Sequence, residues 1–112
     1  MKSEKRALQI WSVLVLSASS QRILSYKTLA KLTGLAIQGF AEPLGRVAQY
    51  CKSEGVPPLT VIVVTEETGM PGEGYPHHNE PLQIFEDQAR VFVFDWLGRE
   101  APPADKFEKW RD

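Results

Sequence analysis

Two short helix-forming segments stand close together between Ser25 and Gly55, and that pairing limits the folds open to this chain more than any other feature. Ser25 is a good N-cap for a helix from about Tyr26 to Thr33, because its hydroxyl can accept from an otherwise unpaired first-turn amide, and Gly34 suits the left-handed stop. Leu29 and Leu32 are expected to point inward. A Gly-bearing connection, LAIQG, leads to a second segment from about Ala41 to Ser53, where Pro43 is tolerable because it falls in the first turn. Leu44, Val47, Ala48 and Cys51 are spaced i, i+3, i+4, i+7 and define its expected buried stripe, with Glu42, Arg46, Gln49 and Ser53 opposite. Two short helices joined in this way have the sequence shape of a helix-turn-helix.

The flanking sequence adds a helix before the pair and a β element after it. Ala7, Trp11, Leu14, Val15 and Ala18 share one helical face over Ser3–Ser19, with Ser3 as the candidate cap. Pro57 and Pro58 forbid a continued helix, and Leu59–Thr65 (LTVIVVT) reads as a well-buried strand. The glycines of EETGMPGEGY suit a hairpin turn and an irregular second strand, a wing beside the helix pair. Asn79 can cap a fourth helix whose inward face is Leu82, Phe85, Ala89, Phe92 and Trp96, with VFVFDW either continuing it or forming a strand. The expected architecture is α+β: a winged helix-turn-helix of three helices plus a β-wing, with an additional C-terminal helix. It occupies residues 1–98 as one domain, and 99–112 form a loosely docked tail bearing Pro102 and Pro103.

Charge divides the chain unevenly. Residues 1–52 hold eight Lys/Arg and two acids, a net of +6, whereas the remainder holds five against twelve, a net of −7, and the whole carries −1. A basic half can meet phosphate while an acidic half faces away. Within the helix pair, Tyr26, Lys27, Lys31, Gln38, Arg46, Gln49 and Lys52 have the residue types of a DNA face, since Arg and Gln read base edges and Lys sits near phosphates.

The residues that invite an enzymatic reading fail its requirements. Cys51 lies on the apolar stripe near a helix C-terminus, where the dipole disfavours a thiolate, and reads as core. As the one cysteine it excludes an internal disulfide, and the cytoplasm is the default compartment. The apolar run Trp11–Ala18 is too short to span a bilayer, and its basic flank does not make it a signal peptide because Gln21 and Arg22 follow without a helix breaker. His77 and His78 are adjacent rather than spaced to converge on a metal. GMPGEG lacks the following Lys-Ser/Thr of a phosphate loop. Glu66, Glu67 and Glu73 cluster without a partner nucleophile. No cofactor and no catalytic residue are therefore expected.

The run Ser25–Tyr75 resembles the winged-helix DNA-binding part of the alkylguanine-DNA alkyltransferases and their catalytically dead alkyltransferase-like relatives. Ser25-Tyr26-Lys27-Thr28-Leu29-Ala30 looks like the family's Thr-Tyr-Gly-x-Leu-Ala, Leu44-Gly45 like its Val-Gly, and Val63-Val64 followed by Gly72-Glu73-Gly74-Tyr75 like the wing after its active-site motif. The resemblance implies DNA binding, with Tyr26 in the place of the tyrosine that turns the nucleotide's phosphate. Where that family has Pro-Cys-His-Arg, this chain has Leu59-Thr60-Val61-Ile62, so Thr60 falls near the cysteine position and alkyl transfer to a thiol is excluded. Glu42 replaces the family's base-flipping arginine. The chain is also similar in character to small bacterial proteins with PPLTVIVV and TGMPGEGY segments, a likeness that carries no function.

Two functional readings follow. The first is a non-catalytic DNA-binding protein, regulatory or lesion-sensing. The second is a protein-interaction module on the same scaffold, using the acidic half and aromatics such as Phe85, Phe94 and Trp110 to meet a partner or a second copy, and Glu42 favours it.

Overall fold

The computed structural model describes residues 2–72 and 74–107. Its first helix, α1 (Ser3–Ser19), forms along the expected face: Ala7, Trp11, Leu14, Val15 and Ala18 are buried, and Ile10 completes the stripe. Lys2 rather than Ser3 occupies the cap position, without a side-chain bond. Gln21 closes the helix in a left-handed turn, which aims the Arg22 amide at the Ser17 carbonyl 3.0 Å away.

A two-residue strand, β1 (Leu24–Ser25), runs directly into α2 (Tyr26–Thr33). The Ser25 hydroxyl accepts from the Thr28 amide at 3.0 Å, as the cap signal requires. Gly34 ends α2 at φ +73°, a conformation that costs a residue with a Cβ about 1–2 kcal/mol. Leu29 is fully buried, but Leu32 is 59% exposed, so the expected inward pair is only half realised. A short helix is anchored by one apolar position, and Thr33 takes the second inward place by bonding back to the Leu29 carbonyl.

A 3-10 turn at Ile37–Gly39 leads to α3 (Ala41–Glu54). Its buried residues are Pro43, Arg46, Val47 and Cys51, whereas Leu44 is half-buried and Ala48 exposed. The inward face is therefore turned towards Arg46 relative to the apolar stripe. The cause lies at the far end of the chain, where Phe107 packs against Tyr50 (5.0 Å between ring centroids) and Trp11 (5.8 Å) and covers that side of α3. Residues 99–107 of the expected loose tail are docked, because Pro102 is buried and Phe107 belongs to the core, and the rest of that tail lies outside the described residues.

After the double proline, Leu59–Ile62 form a 3-10 turn rather than a strand, and only Val63–Val64, β2, pair with a neighbour. The pairing is parallel, Leu24 opposite Val63 and Ser25 opposite Val64. The expected antiparallel wing is not present among the described residues; Thr65 instead receives the Gly69 amide and donates its own to Met70 in a tight turn. The apolar run is buried as its composition demands, since Leu59, Val61, Ile62 and Val63 are all fully covered, but consecutive burial is met by a turn as readily as by a strand.

The last helix, α4 (Pro81–Val93), begins with proline at its first turn and with Glu80, not Asn79, at the cap position. Its inward face is Ile84, Asp87 and Val91, while Leu82 is 81% and Phe85 51% exposed. Of the expected stripe, Leu82, Phe85 and Ala89 are exposed while Phe92 is half-buried against the core, because the helix is turned so that a polar residue, Asp87, occupies the inside. Trp96 is buried as expected, although it lies beyond the helix: Phe94 turns extended, and VFVFDW splits between the last turn of α4 and a bend. The architecture is a four-helix α+β fold with a small parallel sheet, and α1 lies at its centre against α3, α4 and the 102–107 segment.

Candidate nucleic-acid interface

A cleft of about 900 Å³ opens beside α3. The α3 side is lined by Leu44, Gly45, Ala48, Gln49 and Lys52, and Pro71, Gly72 and residues 74–77 line another wall. This explains why Leu44 and Ala48 are not in the core: the apolar stripe read from the sequence borders a groove. Tyr26 stands at the junction of the two walls. It is half-buried against Phe40, 6.3 Å between centroids, and a Cβ at Gly72 would lie 3.2 Å from its hydroxyl oxygen. Glycine at 72 therefore lets the loop close onto Tyr26.

Four of the residues expected to form a DNA face line this cleft: Tyr26, Gln38, Gln49 and Lys52. Lys27 and Lys31 are exposed on α2 outside it. Lys27 reaches Glu66 at 3.2 Å, an exposed pair of the kind that contributes little and exchanges easily for another anion. Arg46 does not belong to the face. It is buried, its Nε meets the Glu42 carboxylate at 2.6 Å, and its Nη1 donates to the Phe107 carbonyl at 2.8 Å. A guanidinium four residues from a carboxylate on one helix, with a docked main-chain carbonyl above, is satisfied internally. The same bond neutralises Glu42, the acid that stands where the resembled family has an arginine.

The far end of the cleft holds a polar cluster that residue types alone do not announce. Asp87, buried in α4, accepts from the Tyr75 hydroxyl at 2.5 Å, from Gln83 Nε2 at 2.9 Å and from Arg90 Nη2 at 2.7 Å. Burial by itself would raise the Asp87 pKa, but the hydrogen bonds from Tyr75, Arg90 and Gln83 outweigh it and hold the carboxyl below its ordinary value. Burial, followed by the bond to Asp87, pushes the Tyr75 phenol far up, so it remains a donor. The cluster ties the cleft loop to α4. Tyr75 appears in the sequence only as the end of the TGMPGEGY segment, and Asp87 carries no signal, since a lone aspartate inside a helix pattern usually faces solvent.

Chemistry at a thiol has no support. Cys51 is buried and its pKa is pushed up to about 11, chiefly by burial. Thr60, at the position resembling the alkyltransferase cysteine, is half-buried on the cleft lining. His77 Nδ1 meets Glu80 at 2.9 Å on the surface. Among the described residues no three His, Cys, Asp or Glu side chains gather into a metal site, and no helix is long and apolar enough to cross a membrane. Of the aromatics expected to serve a partner, Phe85 is exposed, Phe94 leans on Trp96 at 4.5 Å, and Trp110, like Glu73, lies outside the described residues. No family model matches the chain, and no curated protein or solved structure is found similar to it.

Proposed function

We propose that this chain is a non-catalytic DNA-binding module of the winged-helix kind, with α2 and α3 as its helix-turn-helix and the 65–77 loop in the place of the wing. The observation that carries the reading is the convergence of Tyr26, Gln38, Gln49 and Lys52, scattered over 27 positions of sequence, on one cleft beside the second helix of the pair. Gln49 and Lys52 project from α3 towards base edges and phosphate, and Lys27 and Lys31 on α2 add backbone contacts. The apolar cleft has room for a single unstacked base against Leu44 and Ala48, consistent with a lesion-sensing role in which recognition occurs without transfer.

The test is fluorescence anisotropy of a labelled duplex across a salt series, comparing an intact duplex with one containing a single mismatch. Weak binding that falls steeply with salt, tightens on the mismatched duplex and weakens in Lys52→Glu supports the reading. A folded protein that binds neither duplex at low salt would overturn it.

A further inference from the structure

The outward face of α4 is apolar along its length. Leu82, Ala89 and Val93 lie within a narrow arc of the helix, at i, i+7 and i+11, with Phe85 along one edge and Glu86 and Arg90 along the other. Leu82 is 81% exposed, Val93 80% and Phe85 51%, and Ala89 is exposed between them. The helix therefore buries Ile84, Asp87 and Val91 against the rest of the fold and leaves a second, comparably apolar face that no other described residue covers.

We propose that this face is covered by α4 of a second copy of the chain, packed antiparallel about a two-fold axis that passes near position 88. Three features point to a second copy rather than to an unrelated partner. The first is self-complementarity. Rotation about such an axis sets Leu82 of one copy beside Val93 of the other, and it brings the two Phe85 edges to the same side of the interface.

The second feature is charge. An isologous antiparallel packing places the Glu86/Arg90 edge of each copy against the same edge of the other, running in the opposite direction. Each Glu86 then meets Arg90 of the second copy, forming two opposite-charge pairs. A parallel two-fold packing would instead set the Glu86/Arg90 edge of each copy against the Phe85 edge of the other and pair no charges. Arg90 already leans on Asp87 with one nitrogen and is 61% exposed in its side chain, which leaves donors for a second carboxylate.

The third feature is shape and area. Gln83, Glu86, Ala89 and Arg90 border a shallow trough, and alanine at its floor lets a facing helix approach closely. Leu82, Phe85 and Val93 alone expose on the order of 400 Å² per copy, and the flanking residues bring two copies towards the ~1,200 Å² of a small specific interface. The dimer is thus expected to be reversible, with the face rigid and preformed.

Sedimentation velocity on the full chain between about 1 and 200 µM tests this. The expected result is a concentration-dependent rise from 12.6 kDa to twice that mass. Val93→Glu and Leu82→Glu, both at positions that contribute nothing to the core, should return the monomer with unchanged circular dichroism. Glu86→Arg should weaken association about tenfold by converting both charge pairs to repulsions. Register is read by mixing Leu82→Cys and Val93→Cys chains under mild oxidation, with the buried Cys51 remaining unreactive. The mixture should cross-link while neither variant alone does. A monomer throughout the range, a dimer that survives both Glu substitutions, or cross-linking of Leu82→Cys to itself would each overturn the proposal.

Discussion

Arg46 Nη1 donates a 2.8 Å hydrogen bond to the main-chain carbonyl of Phe107, 61 positions further along the chain. The bond joins the middle of α3 to the end of the described chain and sits beneath the aromatic group of Trp11, Tyr50 and Phe107. A basic residue that composition assigns to a nucleic-acid face is in this way a structural pin. Truncating it leaves a buried carbonyl without its donor and Glu42 without its partner, and Arg46→Ala is expected to lower unfolding stability by about 2–4 kcal/mol. Urea denaturation followed by tryptophan fluorescence measures this, and a loss below about 0.5 kcal/mol would contradict the pin. Phe107→Ala, which empties a fully buried aromatic site, should cost about 3–5 kcal/mol in the same assay.

Because Arg46 is internal, the surface test of DNA binding falls on Lys52. Lys52→Ala should leave the unfolding midpoint unchanged within about 0.5 kcal/mol while reducing the slope of log affinity against log salt by about one, the signature of a single lost phosphate contact. An unchanged slope would remove Lys52 from the interface.

The Tyr75–Asp87 bond predicts an acid-sensitive component of stability. The Asp87 carboxyl is held below its ordinary value in the folded chain, so the stabilisation is complete above the unfolded value near ~3.9 and drains away as pH falls through the lower folded value. Urea midpoints compared at pH 6 and pH 3 should differ more for the parent than for Asp87→Asn, in which that carboxyl no longer titrates. Tyr75→Phe should cost about 1–3 kcal/mol at pH 7, because a charged acceptor loses a buried donor. Equal pH dependence in parent and Asp87→Asn would argue against the linkage.

Cys51 should be inert in the native state. Burial raises its pKa to about 11, so at pH 8 iodoacetamide should label it only at the rate of global opening, and at full speed in denaturant. Its stabilising preference for the neutral thiol is complete below the unfolded value near 9 and is lost as pH rises towards 11. Rapid labelling of the folded chain would show the thiol to be accessible.

Local signals determined much of the chain. Ser25 capped α2 because a serine hydroxyl ahead of a helical pattern has an amide to accept from wherever that helix packs. The α1 stripe from Ala7 to Ala18 was legible because a long helix with one apolar face has only one way to bury it. Pro43 and Pro81 fell in first turns, and Gly34 and Gly55 at helix ends, since their backbone preferences are intrinsic. Tyr26, Gln38, Gln49 and Lys52, named together from residue type in and beside the helix pair, line one cleft. Only the tertiary structure decided which faces of α3 and α4 turn inward. Hydrophobic periodicity counts apolar side chains, whereas the observed faces include Arg46 and Asp87, each held by an ion pair on its own helix, Glu42 and Arg90, and by a neutral group distant in sequence, the Phe107 carbonyl in one case and the Tyr75 hydroxyl in the other. The same applies to LTVIVVT, whose burial was fixed by composition but whose single parallel pairing with β1 depended on where Leu24 and Ser25 were delivered by α1. A helical window contains the local partners, Glu42 and Arg90, but the burial of each charge and its distant partner are properties of the assembled chain.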